Sequence, residues 1–133
     1  MPEVRAFWSK RSPDLLSVLR IVTAFLFMQH GAMKLLGFPG AGDHTVELMS
    51  LMGLAGVLEL VGGGLVLLGL FTRPVAFVLA GEMAFAYFMA HAPQGFWPAL
   101  NQGEAAVLYC FVFLYLSAAG GGPWSLDRML AKT

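Results

Sequence analysis

Residues 48–71 read LMSLMGLAGVLELVGGGLVLLGLF, twenty-four positions with a single ionisable side chain, Glu59. A run this long and this apolar matches the roughly 20 residues an α-helix needs to cross hydrocarbon. Nothing in it alternates with period two, as a membrane barrel strand would. Working outward, residues 15–36, 74–92 and 103–119 have the same character. The reading is an all-α, integral membrane four-helix bundle. Its helices cover about 15–36, 48–71, 74–92 and 103–119 within one domain, 1–133.

Composition excludes the alternatives. Of 133 residues, 58% are hydrophobic and 12% charged, and mean hydropathy is +0.72. A soluble domain carries roughly a quarter of its residues as charges. Eight Lys and Arg balance eight Asp and Glu, which leaves no basic footprint for nucleic acid. Cys110 is the single cysteine, so neither an intramolecular disulfide nor a C-x-x-C pair exists. It falls midway along the fourth helix, where a thiol reads as a small buried apolar group.

Orientation follows from the cations, because Lys and Arg in short loops favour the cytoplasmic side. Arg5, Lys10 and Arg11 precede the first helix, Arg73 sits in the Thr72-Arg73 turn, and Arg128 and Lys132 lie in the tail. The loops 37–47 and 93–102 contain neither residue type. Both termini are therefore expected in the cytoplasm. Trp8, Trp97 and Trp124 fall beside predicted helix ends, where an amphipathic ring prefers the headgroup layer. The basic start resembles a signal peptide, but three more apolar segments follow, so the first helix is expected to be retained. Gly120-Gly121-Gly122-Pro123 closes the fourth helix, and residues 125–130 form one short amphipathic turn.

Function is sought among the ionisable groups, which are costly inside a membrane and face a bundle interior or cavity. Arg20, Thr23, Phe27, His30 and Lys34 fall within an arc of about 80° on the first helix, making one inward polar stripe. At about 1.5 Å per residue, Arg20 lies in the inner leaflet, His30 and Lys34 in the outer, and Glu59 and Glu82 near the middle. The pairings this permits are Arg20 with Glu82, and Lys34 or His30 with Glu59. Two readings stay open: ion pairs that set the register of the bundle, or a ligand or proton site built from Arg20, His30, Lys34, Glu59 and Glu82. Gly56, Gly62 and Gly63 flank Glu59, where they allow either tight helix packing or room for a ligand. On the third helix Val78, Phe85, Ala86 and Met89 share the face of Glu82, and His91 points the opposite way. His30, His44, His91, Glu47 and Glu104 could gather near the outer surface, yet no H-x-x-x-H or E-x-x-H spacing fixes two of them on one face. No metal or haem is expected, and no catalytic residue is identified.

In order along the chain stand Leu19-Arg20-Ile21, His30-Gly31 with Lys34, Glu59-Leu60-Val61-Gly62-Gly63, Leu68-Gly69-Leu70-Phe71-Thr72-Arg73 and Gly122-Pro123-Trp124-Ser125-Leu126-Asp127. With these fragments the sequence resembles the DoxX family of small four-helix bacterial membrane proteins. It departs from many relatives in having Gly-Gly-Pro-Trp-Ser where they have a Gly-Pro-Gly-like turn. The resemblance implies a subunit of a bacterial inner membrane connected with redox chemistry, with quinone as cofactor. It also implies partnership with soluble redox proteins such as a superoxide dismutase or a sulfurtransferase.

Three functions are carried forward. In the first, a quinone-associated subunit holds a lipophilic ring between helices one, two and three, with His30 and Lys34 donating to a ring oxygen and Glu59 and Glu82 pairing with them or relaying protons. In the second, the chain is a non-enzymatic anchor that recruits soluble redox proteins through Arg5, Lys10, Arg11 and Arg128. In the third, it is a homo-oligomeric transporter of protons or small molecules using Glu59 and Glu82.

Overall fold

The computed structural model describes residues 1–40 and 47–131; the sequence positions His44 and Lys132 lie outside them. The described residues are all-helical in their regular structure, with α1 (Pro2–Leu36), α2 (Leu51–Leu68), α3 (Thr72–Gln94), the short α4 (Pro98–Asn101), α5 (Glu104–Ala119) and α6 (Leu126–Ala131). Three of these, α1, α2 and α3, are long and apolar enough to cross a membrane, and α5 is a shorter apolar helix.

The helix ends follow local chemistry more closely than the hydropathy does. α1 begins at Pro2, well before the expected start at 15, because Pro2 opens the first turn and Glu3 complements its N-terminal dipole. Arg11 then places its guanidinium 5.3 Å from the Phe7 ring centre one turn back. Pro13 is carried inside the helix, on a segment exposed enough for the carbonyl it leaves over to be solvated. Arg5, Trp8, Lys10 and Arg11 are therefore helical rather than preceding the helix. α2 starts at Leu51 rather than 48, because the Ser50 hydroxyl caps it by accepting the Gly53 N–H at 3.0 Å.

α1 packs along the length of α2, and α3 along α5, and the two antiparallel pairs close on each other. Lipid offers no hydrophobic drive for this, so close backbone approach and ring packing must supply it. Gly31 lies directly against the α2 backbone: a Cβ there would stand 2.6 Å from Leu60 N and 2.7 Å from Gly56 O. Gly56 receives Leu35, Gly63 receives Met28 and Gly62 receives Leu79, so the glycines around Glu59 serve packing. Phe27 bridges the pairs, with its ring centre 4.8 Å from Phe113 and 5.2 Å from Tyr109.

At the end of the bundle that carries both described chain termini, one buried cation organises the turns. Arg20 is 1% exposed and donates to the carbonyls of Gly121, of Trp124 at 2.8 Å and of Leu67 at 3.4 Å. The Ser17 hydroxyl donates to Gly121 O and accepts the Trp124 N–H, both at 3.1 Å. The chain between α2 and α3 turns at Gly69 and Phe71, both with positive φ, so this turn is 69–71 rather than Thr72-Arg73. Asp127 holds it: its carboxylate accepts the Phe71 N–H at 2.8 Å and the Thr72 N–H at 2.9 Å, and its own N–H donates to Gly69 O at 2.9 Å. Burial alone would push the Asp127 carboxyl up, but the N–H groups of Thr72 and Phe71 and the charge of Arg20 outweigh it and hold the carboxyl below its ordinary range.

Two expectations follow. Gly31→Ala should cost about 1–3 kcal/mol of overpacking, whereas Gly81→Ala, with nothing within 4 Å of its Cβ, should stabilise α3 by about 0.5–1 kcal/mol; unfolding titrations in detergent compare them. Because the Asp127 carboxyl is depressed in the fold, its contribution is complete above the ordinary Asp range near about pH 4 and is lost as pH falls through the folded value. Thermal melts across acid pH should show this loss in the wild type and a flatter acid limb in Asp127→Asn.

Candidate functional site

At the opposite end of the bundle, four helices enclose a pocket of about 280 Å³. α1 contributes Phe27, His30 and Lys34, α2 contributes Glu59, and α3 contributes Met83, Ala86 and His91. The fourth wall is Tyr109 of α5, with Gln102 from the residues just before that helix. The pocket is thus apolar on its sides and polar at a few convergent atoms, the usual character of a small-molecule site.

Lys34 Nζ stands 2.5 Å from Glu59 Oε1, so of the two partners expected for Glu59 the lysine is the one that meets it. Glu59 is 2% exposed and sits inside a π-helical turn, Leu58–Gly62, that interrupts α2. His30 presents its ring edge-on to Tyr109 at 6.0 Å between centres and is otherwise exposed. Glu82 lies beside the Glu59 carboxyl. It stands at the border of the buried face of α3, which is formed by Ala76, Leu79, Ala80 and Met83. Val78, Phe85 and Met89, expected to share its inward face, are exposed.

Two expectations are corrected. Arg20 does not pair with Glu82: it is fourteen residues before Lys34, about 21 Å along α1, and its guanidinium is taken by the carbonyls of Gly121, Trp124 and Leu67. Of the five-residue polar stripe and its partners, His30, Lys34, Glu59 and Glu82 form one cluster and Arg20 belongs to another. His91 does not point away from the cluster. The turn Tyr87–His91 is π-helical, and one extra residue in a turn rotates the remainder of the helix back by about 100°. That rotation brings His91 onto the pocket wall.

Asn101, which the sequence did not single out, holds this arrangement. It is fully buried; its amide donates to the Tyr87 hydroxyl at 3.1 Å and to Gly95 O at 2.9 Å, and its side-chain oxygen accepts the Gly103 N–H at 2.9 Å. Its backbone carbonyl lies 3.0 Å from His91 Nδ1. A carbonyl only accepts, so Nδ1 carries the proton and Nε2 is left as the ring atom available to a ligand. The available sequence signal was weak: a lone Asn in an apolar loop, before Gln102 with its positive φ. Tyr109 had a better one, a hydroxyl four residues from Phe113 on a largely apolar helix. Among the described residues, no three His, Cys, Asp or Glu side chains are placed to hold a metal ion.

Comparisons with known proteins agree with this architecture. A family model described as DoxX matches residues 15–92. An uncharacterized protein of Haemophilus influenzae is 45% identical over 130 residues, covering 92% of this chain and 96% of that protein. Inner membrane protein YqjF of Escherichia coli is 31% identical, covering 86% of this chain and 91% of its own. Inner membrane protein YphA of the same organism is 29% identical, with 87% and 90% covered. No solved structure matches the chain significantly.

Replacing Asn101 with Ala leaves the Gly103 N–H and the Gly95 carbonyl without their partner, which should cost about 1–3 kcal/mol. Unfolding titrations in detergent should show a less stable protein.

Proposed function

This chain belongs to the DoxX family, and on that premise we propose that it is the quinone-docking subunit of a bacterial membrane redox complex. It is an integral membrane protein of the inner membrane, as its apolar helices and the names of its relatives agree. The observation that carries the finer reading is the pocket itself. A volume of about 280 Å³ suits a single substituted ring rather than a large cofactor. Phe27, Met83 and Ala86 offer apolar walls to its faces.

The polar atoms suit a ring with two carbonyl oxygens. Lys34 supplies ammonium donors, His91 a ring nitrogen, Gln102 an amide and Tyr109 a hydroxyl, all from residues that line the pocket. These groups bind and orient; with one cysteine in the chain, electrons would come from a partner protein. In the orientation the cations favour, the pocket lies towards the outer face and the Arg20 turns lie inside. A soluble redox protein such as a superoxide dismutase or sulfurtransferase would then meet the inner face.

A specific observation also favours the anchor reading. α1 has 35 residues, about 52 Å at about 1.5 Å each, against a hydrocarbon core of about 30 Å. Its first three turns project Arg5, Lys10 and Arg11 as an exposed basic arm, continuous with a membrane helix and therefore rigidly placed.

Equilibrium binding of a short-chain benzoquinone to the detergent-purified protein separates the two. Lys34→Met and His91→Ala should each weaken it about tenfold, the loss of roughly one charge-assisted or buried hydrogen bond. Binding unchanged in both folded variants would overturn the quinone reading and leave the basic arm as the functional surface.

A further inference from the structure

The cluster beside the pocket contains more negative charge than it has cations to meet. Glu59 and Glu82 bring two carboxyls, from α2 and α3, to the same place. Lys34 is the ammonium in contact, at 2.5 Å from Glu59 Oε1. Both oxygens of Glu82 are shut off from solvent and have no hydrogen-bond partner. An ionised carboxylate accepts at about four lone-pair sites, and leaving all of them empty in a low-dielectric interior costs several kcal/mol. The neighbouring side chains do not remedy this: His30 of α1, His91 of α3 and Tyr109 of α5 line the pocket, and none of them donates to Glu82.

We propose that Glu82 is the proton store of this site, a neutral carboxylic acid at physiological pH whose O–H is directed to the carboxylate of Glu59. Two carboxyls at one buried site sharing one proton is the arrangement that like charges in close contact enforce. It leaves a balanced trio, with ammonium on Lys34, carboxylate on Glu59 and acid on Glu82. Both carboxyl groups then have a partner.

The arrangement makes the proton deliverable. Its transfer breaks the O–H bond of Glu82 and forms one on Glu59, with no change in total charge and no electron moved. Glu59 lines the pocket, so a proton arriving there is in reach of an oxygen bound beside Lys34. Glu82 lines none of the pocket and acts through Glu59, so it is a positioning residue rather than a catalytic one. The use made of the proton rests on the quinone-docking reading, since a ring oxygen is what would accept it. The existence of the store does not.

Infrared spectroscopy of the purified full chain at neutral pH, with no quinone added, tests the store directly. The wild type should show the carbonyl band of a buried protonated carboxyl, shifted by deuterium exchange, and Glu82→Gln should lack it. Lys34→Met removes the cation from both carboxyls and should strengthen the band, since both must then be neutral. A wild-type spectrum without the band, or a band undiminished in E82Q, overturns the proposal. If E82Q does not fold, K34M decides: a stronger band supports the store, and an unchanged one overturns it. Quinone binding is measured separately, so a band present without binding removes only the docking reading, and binding without the band removes only the store.

Discussion

A guanidinium cannot be left bare in a membrane protein, and the fold at the terminal end is arranged around meeting that requirement for Arg20. Its donors need acceptors that the helical backbone of α1 cannot spare, because helix carbonyls are already used. They are found where helices stop: at Leu67 near the end of α2, and at Gly121 and Trp124 beyond the end of α5. The cation therefore fixes where two other helices must end. Asp127 extends the same logic by offering its carboxylate to the unsatisfied N–H groups at the start of α3. Leu19-Arg20-Ile21, Gly69 to Arg73 and Gly122 to Asp127, far apart in the chain, are three parts of one hydrogen-bonded assembly.

With one end fixed in this way, the other is free to be hollow. The two π-helical turns, Leu58–Gly62 and Tyr87–His91, both lie at the pocket. Each inserts a residue that a regular helix would not hold, re-aiming Glu59 in one case and His91 in the other. Such turns are weaker than α-helical ones and are retained most often where a side chain must be placed for use. Asn101 stabilises the second of them from the end of α4, through His91 and Tyr87.

The large features were legible because they depend on local composition and period. The apolar runs marked α1, α2, α3 and α5, and the 100° rotation per residue put Lys34 on the face that reaches Glu59. The glycines around Glu59 left packing and ligand room open in the sequence, and Leu35, Leu79 and Met28 fill the space beside them. What could not be read was set by partners distant in sequence. The 69–71 turn depends on a carboxylate more than fifty residues later, which no window on the turn contains. His91 was placed on the wrong face because a uniform rotation was carried through a turn that is not uniform. Arg20 was offered a carboxylate, Glu82 or Glu59, because a charge suggests a charge, whereas backbone carbonyls take its two terminal nitrogens. The start of α1 was missed because hydropathy reports where lipid is, and this helix continues past it.

The unequal lengths of the helices bear on the bilayer as well as on the protein. α5 has 16 residues, about 24 Å at about 1.5 Å per residue, and its neighbour α3 has 23. A bilayer thick enough for α3 is too thick for α5, a mismatch that costs fractions of a kcal/mol per ångström and that thinning on the α5 side would relieve. Thinning of that kind would be confined to the lipid around this one helix. Gln102 stands just before that short helix and Tyr109 in its second turn, so a surface thinned there would bring the headgroup layer towards the pocket wall. An amphiphile diffusing in the plane of the bilayer would find its polar end already level with the site.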